Sequence, residues 1–344
     1  MLSTCFIVTK DGMRRIQETD IPRIQGFYLV GQSFGDLMCM MPTVHKVCRE
    51  LKRKLDVWTL RPEIFKNDPH VRVVRSCEPQ AMQDYVNAGN FLIMCPVRAG
   101  NQKSQADSSL IDYAAMNVVM LDEREKRIRL YPDYSERVRV RDLMKLYAQY
   151  TKIIVHPNCN FPIRTWPQER WRDLTRRLLE DGYMVITVGR DVENIGAARD
   201  SVDKTMTAFD FAGERFLNLI NKTSLHELYE LMKYVDCVVT VDSGVLHVAN
   251  ATRVPIVALF TEIAPELRVR VRKGTVGYRT KTVYAPCEYQ FCSTRFGMRD
   301  NRCKQTGEKY LCCMPDVKQV YEKVRESVTQ YARNKPQGAV GAHT

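Results

Sequence analysis

Asp242, Ser243 and Gly244, followed by His247, separate two apolar runs in VVTVDSGVLHVANATRVPIVALF (238–260). The flanking runs have strand composition, and Val245, Val248 and Ala251 share one helical face, which predicts strand, tight turn, helix, strand. Asp242 to Gly244 then fall at the carboxyl end of a strand and the amino end of a helix. Backbone N–H groups there lack intrahelical partners and favour anions. Arg164 in FPIRTWP and Glu193 in VGRDVEN follow two further apolar runs, so a parallel sheet would gather all of them on one side. The chemistry suits a nucleoside diphosphate. The N–H groups of Ser243 and Gly244 and the Arg164 guanidinium would receive the phosphates, and Glu193 would accept hydrogen bonds from a ribose or base. His247 either donates to a phosphate or packs in the core. Asp36, in GQSFGD, also follows a strand and opens a helix. It is read either as an acid complementing the helix dipole or as a general base that takes the proton of an attacking hydroxyl.

The elements that must hold these residues come in two α/β series. The first is GFYLVGQSFGDLMCMMPTVHKVCRELKRKLDVWTL: strand, glycine-bearing turn, helix from about Asp36 to Lys54, strand. Leu37, Met40, Met41, Val44, Val47 and Leu51 give the helix one apolar face. Strands follow at 71–75 and 91–95, and a hairpin around KDG precedes the unit. The second series starts at KIIVHP. It continues with a helix opened by Pro167 and stopped by Gly182, the strand YMVITVG, a short helix after Asp191, and a helix from Ser224 whose Ser224 and Glu227 make a capping box. A last amphipathic helix, DVKQVYEKVRESVTQYARN, leads to a loose tail at 335–344. Such alternation predicts two doubly wound parallel sheets. The expected domains are 1–150, with 1–25 as an extension, and 151–334.

At 344 residues and 44% hydrophobic composition the chain has ample material for two cores. No run approaches the roughly 20 apolar residues of a membrane span, and the N-terminus lacks the apolar core of a signal peptide, so a cytoplasmic location is expected. A formal charge of +12 points to an anionic partner. Arg268, Arg270, Arg272 and Lys273 form one basic stretch, and Arg137, Arg139 and Arg141 another. Alternation of Arg with Val favours a strand with one charged face, either solvated surface or a track for acceptor phosphates. Of twelve cysteines, Cys287, Cys292, Cys303, Cys312 and Cys313 crowd together. Four thiolates suffice for a structural Zn²⁺, although C-x4-C and C-x8-C are looser than paired C-x2-C, and reduced thiols or a partial disulfide are the competing reading.

The order and spacing of VHPNCNFPIRTWPQERWRDL, VGRDVE, TSLHELYELMKYVD and DSGVLHVANATRVPIVALF resemble glycosyltransferase family nine, the lipopolysaccharide heptosyltransferases. The resemblance covers most of the second half and extends more thinly to GFYLVGQSFGD and its helix with Pro42. It implies a GT-B fold, two Rossmann-like domains facing a cleft, with the acceptor on the first and the nucleotide sugar on the second. Carried across, Asp36 is the base, Arg164 the diphosphate-binding cation, Glu193 a nucleotide contact, and Asp242, Ser243, Gly244 and His247 the donor loop. The chain departs from the family in having Arg164 for the usual lysine before WP, and FTEI for FGPT after the last strand. The implied reaction is metal-independent, inverting transfer of a sugar, by analogy heptose from an ADP-linked donor, to the lipopolysaccharide core, at the inner face of the membrane with peripheral contact. Two alternatives are a phage-type enzyme acting on hydroxymethylated bases in DNA, and an inactive nucleotide-sugar or nucleic-acid binding protein. GQSFGD lacks the G-x-G-x-x-G turn, which argues against a dinucleotide cofactor.

Overall fold

A computed structural model of the chain describes residues 5–31, 33–96, 109–116, 118–157, 162–190, 211–269, 280–296, 303–307, 312 and 315–334. They form two compact units, Met1–Glu136 and Arg137–Thr344, dividing somewhat before the expected position 150. The short helix expected after Asp191 and the tail at 335–344 lie outside the described residues.

The first unit opens with the hairpin β1 (Phe6–Thr9) and β2 (Gly12–Arg15), a 3-10 turn at Glu18–Arg23, and β3 (Ile24–Val30). Then come α1 (Phe34–Glu50), β4 (Leu55–Thr59), a 3-10 turn at Pro62–Phe65, β5 (Val71–Ser76), α2 (Pro79–Asn87), β6 (Phe91–Pro96) and α3 (Leu110–Ala115). The sheet runs β2-β1-β6-β3-β4-β5. Strands β3 to β6 are mutually parallel, and the hairpin joins β6 antiparallel. Strand order thus reverses between β3 and β6, and α1 leaves from that point. Gly26 on β3 allows close approach: a Cβ there would meet the Asp56 carbonyl oxygen at 2.8 Å.

Helix α1 starts two residues before Asp36 because Ser33 caps it, its hydroxyl accepting the Asp36 N–H at 3.2 Å. The apolar face read from the sequence is fully buried through Leu37, Met40, Met41, Val44 and Val47. It ends at Glu50 rather than near Lys54, with Lys52 in the left-handed region at φ 51°. Arg53 then donates to the carbonyls of Ile21 and Ile24 at 2.8 and 2.7 Å.

The segment with Arg137, Arg139 and Arg141 corrects the expected charged strand: it is helix α4 (Tyr134–Lys145). Asp133 and Glu136 cap it reciprocally, each carboxylate accepting the other's N–H at 2.9 Å. Glu136, Val140 and Met144 are the buried stripe, at helical spacing. Arg139 pairs with Glu227 at 2.8 Å.

The second unit continues with β7 (Lys152–His156), α5 (Gln168–Glu180), β8 (Met184–Thr187), β9 (Phe216–Asn218), α6 (Leu225–Leu231) and β10 (Cys237–Val241). It closes with α7 (Gly244–Asn250), β11 (Ile256–Leu259), β12 (Thr280–Val283), α8 (Cys292–Phe296) and α9 (Val317–Asn334). All six strands are parallel in the order β12-β11-β10-β7-β8-β9. This is the doubly wound arrangement, reversing between β7 and β10. Pro167 caps α5, and Gly182, at φ +85°, follows it. The Ser224 and Glu227 capping box is present. Trp166 and Trp171 meet edge to face at 4.8 Å in the core, and Trp166 Nε1 donates to the Pro315 carbonyl at 3.0 Å.

Candidate active site

In the second unit the strands on either side of the reversal, β7 and β10, are direct neighbours with His156 opposite Thr240. Ligands of doubly wound sheets sit beyond the carboxyl ends of the strands at such a point. His156, the last residue of β7, is buried. Its Nδ1 lies 3.1 Å from Oγ1 of Thr240 and 3.3 Å from Oγ of Ser243. Burial presses its pKa down to about 3, so it stays neutral, a hydrogen-bonding post between the two strand ends. Ser243 is the N-cap of α7 but makes no side-chain cap bond, because its hydroxyl turns to His156 and Thr240.

Asp242 is buried beside it and gathers the cations. Arg164 Nη1 lies 3.1 Å and Arg268 Nε 3.5 Å from its Oδ2. Burial alone would raise the Asp242 pKa. The charges of Arg164, Arg268 and His247 outweigh that and hold it below the ordinary carboxylate value. Arg164 also bonds, through Nε, to Glu262 Oε1 at 2.9 Å. The Glu262 carbonyl in turn accepts the N–H groups of Ser293 and Thr294 at the start of α8.

Arg164, Asp242, Ser243, Gly244 and His247 are therefore brought together as the sequence predicts. Arg268, expected on the acceptor side, joins them on Asp242. Glu193, Arg270 and Arg272, with Lys273, lie outside the described residues. His156 and Glu262 were missed by sequence reasoning. The available signal for each was a polar residue set directly at, or just past, the end of an all-apolar strand.

In the first unit Asp36 stands in the first turn of α1, half-buried, at the reversal of that sheet. The Arg61 guanidinium lies 5.0 Å from the Phe34 ring centre, stacking a cation on the same helical turn as Asp36. Arg61 too went unread.

Cys287, Cys292, Cys303 and Cys312 line one pocket with Phe260, Tyr284 and Tyr289. Burial, then Glu262, pushes the Cys292 thiol pKa up. Among the described residues these four sulfurs share that pocket without being drawn into a three-donor cluster, and Cys313, the fifth of the expected set, lies outside those residues. Among the described residues, a group with metal-ligand spacing is His45, Asp68 and His70, in the first unit.

Residues 114–293, more than half of the chain, match glycosyltransferase family 9 (heptosyltransferase). The chain is 27% identical over 130 residues to lipopolysaccharide heptosyltransferase 2 of Escherichia coli strain K12. That stretch is 36% of each protein, so the match spans about a third of the relative's length. The structure is similar to the family 9 glycosyl transferase of Veillonella parvula DSM 2008, with TM-score 0.66 over 90% of this chain and 98% of that one at 11% identity. It also resembles the E. coli ADP-heptose lps heptosyltransferase II, with TM-score 0.57 over 90% of this chain and all of that one at 14% identity. At these identities the likeness concerns the fold, two parallel-sheet α/β domains of the GT-B kind. By the extent of the sequence match, the chain belongs to glycosyltransferase family 9.

Proposed function

We propose that this protein is an inverting glycosyltransferase that moves a heptose from an ADP-linked donor to a hydroxyl of the lipopolysaccharide core, with no need for added Mg²⁺ or Mn²⁺. The observation that carries the reading is the cluster of Asp242, Arg164, Arg268 and Ser243 at the strand reversal of the second sheet. In this reading Asp36 accepts the proton of the acceptor hydroxyl as that oxygen bonds to the anomeric carbon. The bond from that carbon to the diphosphate breaks on the opposite face, and the leaving group takes the electron pair. Backbone N–H groups at Ser243 and Gly244 and the Arg164 and Arg268 guanidiniums stabilise the charge that develops. His156 stays neutral and orients Ser243, and His247 and Glu193 complete the donor side. A net charge of +12 suits an anionic acceptor and peripheral contact with an anionic membrane. No helix among the described residues is long and apolar enough to cross one.

The test is release of ADP from ADP-heptose by the purified chain, supplied with truncated lipopolysaccharide or, separately, hydroxymethylated DNA, with mass analysis of both products. The expected outcome is a heptose-sized gain on the lipopolysaccharide at a rate that added Mg²⁺ or Mn²⁺ does not raise. A gain on DNA alone would reassign the acceptor. Donor binding without any transfer would leave a binding protein.

A further inference from the structure

Two imidazoles and a carboxylate converge in the first unit, toward the end of α1 remote from Asp36. His45 is on the buried face of α1, Asp68 follows the 3-10 turn Pro62–Phe65, and His70 immediately precedes β5. His45 and Asp68 are buried and His70 is half-buried. His45 Nε2 lies 2.6 Å from Asp68 Oδ2, and the two histidine rings are 4.4 Å apart at 39°. One ligand atom from each of the three lies within 4.8 Å of the others. The other carboxylate oxygen, Oδ1, accepts the backbone N–H of His70 at 2.9 Å, which fixes the carboxylate plane as outer hydrogen bonds do around metal ligands.

We propose that His45, Asp68 and His70 form a structural Zn²⁺ site that ties α1 to β5, the strand at one end of the first sheet. A proton between His45 and Asp68 serves that pair and leaves His70 without a share in it. A divalent ion serves all three donors, displacing the shared proton and drawing the ligands into the Zn–N and Zn–O range of about 2.0–2.2 Å. The half-buried side of His70 leaves room for water as a fourth ligand and a path of entry. The charged neighbours are compatible with the ion. Arg49 and Arg129 act on His70 from outside, and Arg49, with Lys46, is paired to Glu125 at 3.1 and 2.7 Å. Cys48 stands one helical turn past His45 and is not among the converging donors. His45 lies about 13 Å from Asp36 along the helix axis at 1.5 Å per residue, so the ion would hold the base's helix in place without reaching the reacting atoms.

The experiment uses the full, tag-free chain stripped of metal and titrated with Zn²⁺ and, in parallel, Co²⁺. The expected result is one ion per chain, a raised thermal midpoint on Zn²⁺ addition, and a Co²⁺ visible spectrum without the intense near-ultraviolet thiolate band. His70→Ala, at the half-buried position, and Asp68→Asn should each weaken binding by at least about tenfold while circular dichroism stays native. Zn²⁺ that persists in both variants, or is lost in Cys292→Ser and Cys303→Ser with a thiolate band in the wild type, would overturn the assignment in favour of the cysteines. Binding no stronger than that of the His70→Ala chain would overturn it altogether.

Discussion

Arg164 and Glu262 each depart from the residue types that the family resemblance leads one to expect at those positions, and they bond to each other. A lysine could not span Asp242 and Glu262 with separate nitrogens of one planar group, as Arg164 does. In the proposed function Glu262 would compete with an incoming diphosphate for this cation. Glu262→Gln should bind ADP several-fold more tightly by calorimetry while losing about 1–3 kcal/mol of stability, and equal or weaker binding would mean that Arg164 is not a phosphate ligand. Asp36→Asn should keep donor affinity within a few-fold and lose about 10²-fold or more in transfer rate. His156 sets a pH limit. Its pKa is about 3 when folded and about 6.5 when unfolded, so on acidification the unfolded chain takes up a proton that the folded chain refuses. Stability should be insensitive to this group above about pH 6.5 and fall below it by up to about 1.4 kcal/mol per pH unit; urea titrations of His156→Gln should show a shallower fall. Asp242, with its pKa depressed, contributes stability that disappears only in more acidic solution, below about pH 4. The turn Asp242–Gly244 was legible in the sequence because aspartate, serine and glycine directly after an apolar strand mark the passage from strand to helix. Glu262 was not, since its role depends on a partner 98 residues away.

Helix ends were legible where their chemistry was local. Ser224 with Glu227, and Pro167 with Gly182, mark boundaries through bonds to adjacent backbone, and the structure has both. Asp133 with Glu136 carried the same kind of signal three residues apart, yet the Arg and Val alternation that follows reads as a strand. The competing periodicity, Glu136, Val140 and Met144, includes a buried acid, which a purely apolar pattern overlooks. In the proposed mechanism the start of α1 bears on the chemistry, because Ser33 holds the N–H of Asp36 itself. Ser33→Ala should cost about 0.5–1 kcal/mol in urea unfolding and lower the transfer rate with little change in donor affinity. An unaltered rate would show that the base does not depend on its cap.

Across the whole molecule, each unit presents its candidate residues where its own strand order reverses, Asp36 in one and the Asp242 cluster in the other. The alternation of strand and helix made this architecture readable, whereas strand order depends on long-range pairing that no local pattern carries. The net charge of +12 also acts at this scale. Raising salt toward 1 M, where the screening length is about 3 Å, should raise the acceptor KM markedly and leave kcat at saturating acceptor nearly unchanged. The N-terminal hairpin has a further role. β6 is apolar, and β1 satisfies the backbone groups along the side of β6 that β3 leaves free. β2 then ends the sheet with Arg14 and Arg15, and Arg14 is locked to Asp20 by two bonds of 2.7 Å. The hairpin is therefore a guard against self-association: a chain shortened to begin at β3 would bare an adhesive apolar strand and should precipitate or pair with its own copies.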